Sequence, residues 1–190
     1  MTMATIKPLV IGGILGMMLF GVVHFAAVTD HSSIEFCTSC HEMSYNYEEY
    51  KKSQHYINRS GVKAVCADCH IPHDKDMASW ANKLYNKVTV GLRHLYHHVL
   101  GDLDSRAKFD AKRWELANRV WDDMKANDSR ECRHCHALEN MHLSEQGLLA
   151  AKQHTKAKVK ANGETCIDCH HGVAHKEPTD PAALLPKSGS

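Results

Sequence analysis

Cys37-Thr-Ser-Cys40-His41, Cys66-Ala-Asp-Cys69-His70, Cys132-Arg-His-Cys135-His136 and Cys166-Ile-Asp-Cys169-His170 repeat one five-residue pattern, and together they use all eight cysteines of the chain. Cys-x-x-Cys-His is the signature of covalent haem attachment. The two thiols add to the two vinyl groups of one haem, and the histidine that follows is placed beneath the iron. Cys-x-x-Cys alone also serves zinc sites and thioredoxin-like redox pairs. Ribbon-type zinc pairs lie about 15 to 20 residues apart; the gaps here are longer, and zinc gives no reason for a histidine after every pair. The motifs therefore predict four haems c, attached at Cys37, Cys40, Cys66, Cys69, Cys132, Cys135, Cys166 and Cys169, in a protein that moves electrons.

Composition agrees with that expectation and excludes others. A net charge of +1 over 190 residues lacks the basic excess of a nucleic-acid-binding protein. Aromatic residues make up only 7% of the chain, too few for a large side-chain core, so the porphyrins are expected to supply much of the apolar interior. No cysteine remains for a disulfide outside the motifs.

Pro8 to Val28 reads PLVIGGILGMMLFGVVHFAAV and carries no formal charge. A run of about 20 such residues has the length of a bilayer span, longer than the roughly 7 to 15 apolar residues of a cleaved signal peptide. The expectation is a single transmembrane anchor within residues 1–30. Lys7 would lie on the cytoplasmic side, and everything after Asp30 in the periplasm of a bacterial inner membrane. Gly12 and Gly16 carry the spacing that lets two such helices approach, which would make a homodimer. His24 is placed near the headgroups.

The remaining chain divides into two di-haem halves, residues 31–75 and 128–178, joined by a helical connector over 76–127 and followed by a tail at 179–190. Each half holds two motifs, a histidine between them (His55, His154) and another just after the second (His73, His175). Helices are predicted at Met43–Gln54, Met77–Leu100, from Asp104 onward and at Ser144–Lys160. In the third of these, Phe109, Leu116, Val120 and Met124 recur at helical spacing. Asp104 or Ser105 would cap it and Gly101 would break it from its predecessor. No convincing alternating strand is found, so the fold class is an all-α, haem-packed domain behind a transmembrane helix.

The chain has sixteen histidines, and a low-spin haem needs a sixth ligand, usually histidine or methionine in an electron carrier. His55, His154 and His175 are the candidates by recurrence, and His73 is a weaker one. His31, His97, His98, His134, His142 and His171 read as bystanders. Lys152, Lys156, Lys158 and Lys160 form a basic stretch near the fourth motif that reads as a solvated helix face.

CTSCHEM (37–43), SQHYINRSGV (53–62), CADCHIPH (66–73), ANDSRECRHCH (126–136) and TCIDCHHGVAH (165–175), taken together with the apolar N-terminus, resemble the NapC/NirT family of membrane-anchored tetrahaem quinol dehydrogenases. The resemblance implies oxidation of menaquinol or ubiquinol at the membrane and delivery of electrons to a periplasmic reductase or cytochrome. Partners in the family include nitrate, nitrite and trimethylamine-oxide reductases. It also implies a ligand scheme. Met43 would bind the first haem as in NrfH-type relatives, where the motif histidine leaves the iron, so that His41 and Met43 stand as alternatives. His70 with His175 would hold the second haem, His136 with His55 the third, and His170 with His154 the fourth. The family's quinol pocket pairs a lysine with an acidic residue seven positions later; the match here is Lys87 and His94, a histidine in place of the carboxylate. His94 would then take the quinol proton or bind the first iron opposite Met43. Two rivals stand beside this reading: a terminal reductase with an open first haem, and a carrier working in the quinone-reducing direction.

Overall fold

The computed structural model describes residues 3–28, 32–73, 77–155 and 163–180. His31, Lys156, Lys158, Lys160 and tail residues 181–190 lie outside them. Among the described residues every regular element is helical: α1 (Met3–Val28), α2 (Ile34–Cys37), a 3-10 turn at His41–Met43, α3 (Ser44–Tyr50), α4 (Cys66–His70), α5 (Met77–Leu100), α6 (Arg106–Ala126), α7 (Arg130–Cys135), 3-10 turns at Leu138–Asn140 and Leu143–Glu145, α8 (Leu148–His154) and α9 (Cys166–Cys169).

The two long helices end where their chemistry dictates. Gly101 adopts φ 62° and turns its N–H back to the carbonyls of His97 and His98, which stops α5. That left-handed conformation carries no Cβ penalty in glycine. Ser105 then opens α6, its hydroxyl accepting from the Lys108 N–H. Elsewhere the helices are shorter than their sequence patterns. The element expected over Met43–Gln54 is α3, seven residues long, and the one expected over Ser144–Lys160 contributes α8, also seven. Segments this short are marginal alone and are set by what they pack on.

The transmembrane helix is corrected. No helix among the described residues is long and apolar enough to cross a membrane. The described side chains of α1 from Val10 to Phe25 are exposed throughout, and α1 touches α5.

Inside the domain the core is sparse. Among the hydrophobic residues described, only Tyr50, Ala67, Phe109 and Ile167 are buried. The accessible surface is 13816 Å², against about 9,000 Å² for a compact monomer of this mass, and the exposed side chains of α1 are part of the excess. An open cavity of about 700 Å³, lined in part by Glu49, His55, Arg106 and His175, makes the domain hollow beside α3.

Three ties hold this loose frame. Glu49 on α3 accepts from both terminal nitrogens of Arg113 on α6, at 2.8 and 2.6 Å, and from the Lys176 backbone at 2.9 Å. Ser129, fully buried, joins α6, α7 and α9: its N–H donates to Met124 O at 2.7 Å and its hydroxyl accepts from Ile167 N–H at 3.2 Å. Asp128 and Ser129 both take positive φ (59° and 48°), a conformation costing a non-glycine residue about 1 kcal/mol or more. His73 stacks on His134 at 3.7 Å and 8°, and α4 packs on α7.

Candidate haem-binding site

The motifs are set up by local capping. In α4 and α9 the residue before the second cysteine is aspartate, and it accepts from the backbone N–H of the residue that precedes the helix. The pairs are Asp68 with Val65 and Asp168 with Thr165, each at 2.7 Å. One carboxylate thus satisfies a helix-start donor and sits at the positive end of the short helix. The third motif lies in α7, and the first is built differently: α2, capped by Ser33, ends at Cys37, so Cys40 and His41 follow in a turn.

The first cysteines of neighbouring motifs meet. Cys37 lies close enough to Cys66, and Cys132 to Cys166, for each thiol to act on its neighbour's charge. That proximity pushes the Cys37 and Cys132 thiols up and makes Cys66 and Cys166 the better anions. Burial pushes Cys69 up to about 11. None of the eight cysteines is in a disulfide.

The histidines pair across the hollow. His70 and His175 lie with ring centres 6.3 Å apart, His55 and His136 6.1 Å apart, and His154 and His170 5.8 Å apart with Nε2 atoms at 3.5 Å. Two imidazoles bound through Nε2 to opposite sides of one metal ion, each at about 2 Å, would place their ring centres roughly 6 Å apart. In two of the distal histidines the far ring nitrogen is also engaged. His55 Nδ1 faces Val173 O at 3.3 Å, and His154 Nδ1 faces Gln146 Oε1 at 2.7 Å. A metal-bound histidine donates its other N–H in this way, which fixes the ring and leaves the lone pair inward. Burial lowers the pKa of both His70 and His175, and a ligand imidazole must be neutral. The residues fit haem iron: thiols to attach it, paired imidazoles to hold it, and interior volume to receive it.

Around the first motif the arrangement differs. Met43 closes the 3-10 turn that His41 opens. His41 is met by His98 of α5, ring centres 6.0 Å apart and planes at 62°. His98 Nδ1 donates to Glu42 Oε1 at 2.6 Å, and the same oxygen lies 3.5 Å from His41 Nε2. His94, one turn before His98, lies near enough to His70 to affect its charge, so α5 serves two motifs. The pKa of His94 is lowered by burial first, then by His97 and Arg93. Lys87 stands half-buried two turns earlier on the same helix. His73 stacks on His134 and sends Nε2 to the Asp68 carbonyl at 3.2 Å rather than toward a motif histidine.

Sequence reasoning passed over several of these residues. His98 recurs nowhere in the repeat, and only its one-turn spacing from His94 marks it. His171 stacks on Trp121 at 4.2 Å, with Trp114 edge-on to Trp121 at 6.0 Å; no local spacing connects α6 to the residue after the fourth motif. His97 pairs with Asp102 at 2.9 Å, and Lys112 bonds the same carboxylate.

A helical frame that carries four Cys-x-x-Cys-His motifs, with the histidines of three facing a second imidazole, defines a multihaem c-type cytochrome. The profile of the NapC/NirT cytochrome c family, N-terminal region, matches residues 1–180, and the chain belongs to that family. It is 49% identical over 172 residues to a putative tetraheme cytochrome c of Allochromatium vinosum, covering 88% of this chain and 89% of the relative. It is 43% identical over 171 residues to the denitrification system component NirT of Stutzerimonas stutzeri, covering 90% and 81%. The cytochrome c-type protein NapC of Escherichia coli K12 gives the same identity and coverage. No solved structure matches the chain. The protein carries haem c and works in electron transfer.

Proposed function

We propose that the chain holds four haems c and passes electrons from a membrane quinol, menaquinol or ubiquinol, to a periplasmic reductase. The observation that carries this reading is the recurrence of one geometry: a motif histidine facing a second imidazole at 5.8 to 6.3 Å. On it, His70 and His175 hold the second haem, His136 and His55 the third, and His170 and His154 the fourth. The relative described as tetraheme supports the count of four, and the denitrification relative supports a respiratory partner.

Haem c, when bound, supplies one-electron redox chemistry, tuned by axial ligands and burial. The chain's own residues do the rest. Lys87 orients a quinol oxygen by charge and hydrogen bonding. His94, neutral in its surroundings, accepts a proton from the quinol hydroxyl. The exposed apolar side chains of α1 bring the domain to the lipid surface where quinol is dissolved, on the periplasmic face of the inner membrane.

The test uses detergent-solubilised holoprotein, with menaquinol and ubiquinol analogues added separately and haem reduction followed by absorbance. Lys87→Ala is expected to slow reduction by quinol at least tenfold while dithionite still reduces every haem. Equal rates in the variant would remove Lys87 from the site. No reduction by either quinol would turn the reading toward a carrier with another donor.

A further inference from the structure

We infer that His98 is the second axial ligand of the first haem, opposite His41, with Glu42 holding its ring in place. The inference rests on the proposed attachment of haem at the first motif, and it assigns a ligand that the sequence pattern left between His41 and Met43.

His98 shares one mark with all three other distal histidines and a second with His55 and His154. Its ring centre lies 6.0 Å from the motif histidine, inside the 5.8 to 6.3 Å range of the three pairs. Its Nδ1 is spent on a protein acceptor, Glu42 Oε1 at 2.6 Å, as His154 spends its own on Gln146 and His55 on Val173 O. With Nδ1–H donated, Nε2 carries the free lone pair. His41, Glu42 and His98 also form the only cluster of potential metal-ligating side chains found among the described residues, every ligand atom within 4.8 Å of the others.

The structural reason is the position of α5. Its last turn, just before the Gly101 stop, lies over the 3-10 turn of His41–Met43. His94, one turn back, lies close enough to His70 to affect its charge, and it makes no such approach to His41. Met43 is half-buried at the end of the turn, while His41 at its head already faces an imidazole. With both axial positions taken by nitrogen, the first iron is closed, which disfavours a terminal reductase working at that haem. Quinol would then deliver electrons at the haem edge without binding iron. Because Glu42 is a carboxylate, it makes the His98 imidazole a stronger electron donor and lowers the potential of this haem relative to one held by a neutral acceptor.

The experiment is near-infrared magnetic circular dichroism and electron paramagnetic resonance on the purified holoprotein, after haem and metal content per chain have been measured. The wild-type protein is expected to show only low-spin bis-histidine haem. His98→Ala should convert one haem in four to high spin, and added imidazole should restore it. Met43→Ala should leave all four unchanged. Glu42→Gln should keep every haem low-spin and raise the potential of one. A methionine–iron charge-transfer band or a high-spin haem in the wild-type spectrum would overturn the assignment. So would an unaltered His98→Ala spectrum with four haems attached, or a non-haem metal retained at one per chain. Should His98→Ala fail to assemble, the wild-type spectrum decides by itself. Fewer than four haems in the wild-type protein would instead count against the four-haem reading.

Discussion

The first haem motif and the other three carry the same signature and stand in unlike surroundings. The Glu49–Arg113 pair fixes the backbone beside His175, which faces the second motif's His70, and the third and fourth motifs share Ser129. The second cysteine and the histidine are exposed in the first, third and fourth motifs alike, so what sets the first apart is its tie: its contact with α5 is an ion pair whose histidine is half open to solvent. Three sites are held by buried polar ties, whereas the first is held by one that reaches water.

The largest effect is expected from Arg113→Ala. Arg113 and Glu49 have side chains only 9% and 12% accessible, and removing Arg113 leaves Glu49 with the exposed Arg106 and the Lys176 N–H alone. Such losses run to about 3–5 kcal/mol, read as a shift in the denaturant midpoint and in the signal of the second haem. Acid acts on the same tie. Burial alone would raise the Glu49 pKa, but Arg113, the Lys176 N–H and Arg106 outweigh it and hold the carboxylate below its ordinary value. Its contribution is therefore complete above about pH 4.3, the unfolded value, and is lost as pH falls through the depressed folded value. Glu49→Gln should flatten the melting temperature over that acid window.

Next comes Ser129→Ala, which leaves the Ile167 N–H without its buried acceptor and should cost about 1–3 kcal/mol. Its effect should appear in the third and fourth haems and spare the first. Smallest is the stability effect of Glu42→Gln. The pair it breaks is partly solvated, so the loss should stay within about 1 kcal/mol, even as the variant moves one haem's potential. A Glu42 effect as large as that of Arg113 would erase the distinction between the open site and the tied ones.

Legibility in the sequence follows the same divide. The cysteines announce themselves, and His55, His154 and His175 stand out because the two halves repeat. The stop at Gly101 and the cap at Ser105 are local chemistry and were readable as such. His98 was not: its partner lies 57 positions earlier, and only the path of α5 brings them together. Trp121 against His171 is hidden for the same reason. The short α3 and α8 show periodicity yielding to packing. The apolar run at the N-terminus suggested a membrane span from composition, whereas no helix among the described residues is long and apolar enough to cross a membrane.

The hollow interior bears on quality control. With four buried hydrophobic residues among those described, the chain would gain little by closing before its cofactors arrive, and loading and folding would become one event. A molecule missing one porphyrin would keep an unfilled wall and remain open to proteases. Defective conductors would thus be cleared by ordinary turnover, with no dedicated sensor to count what each molecule carries.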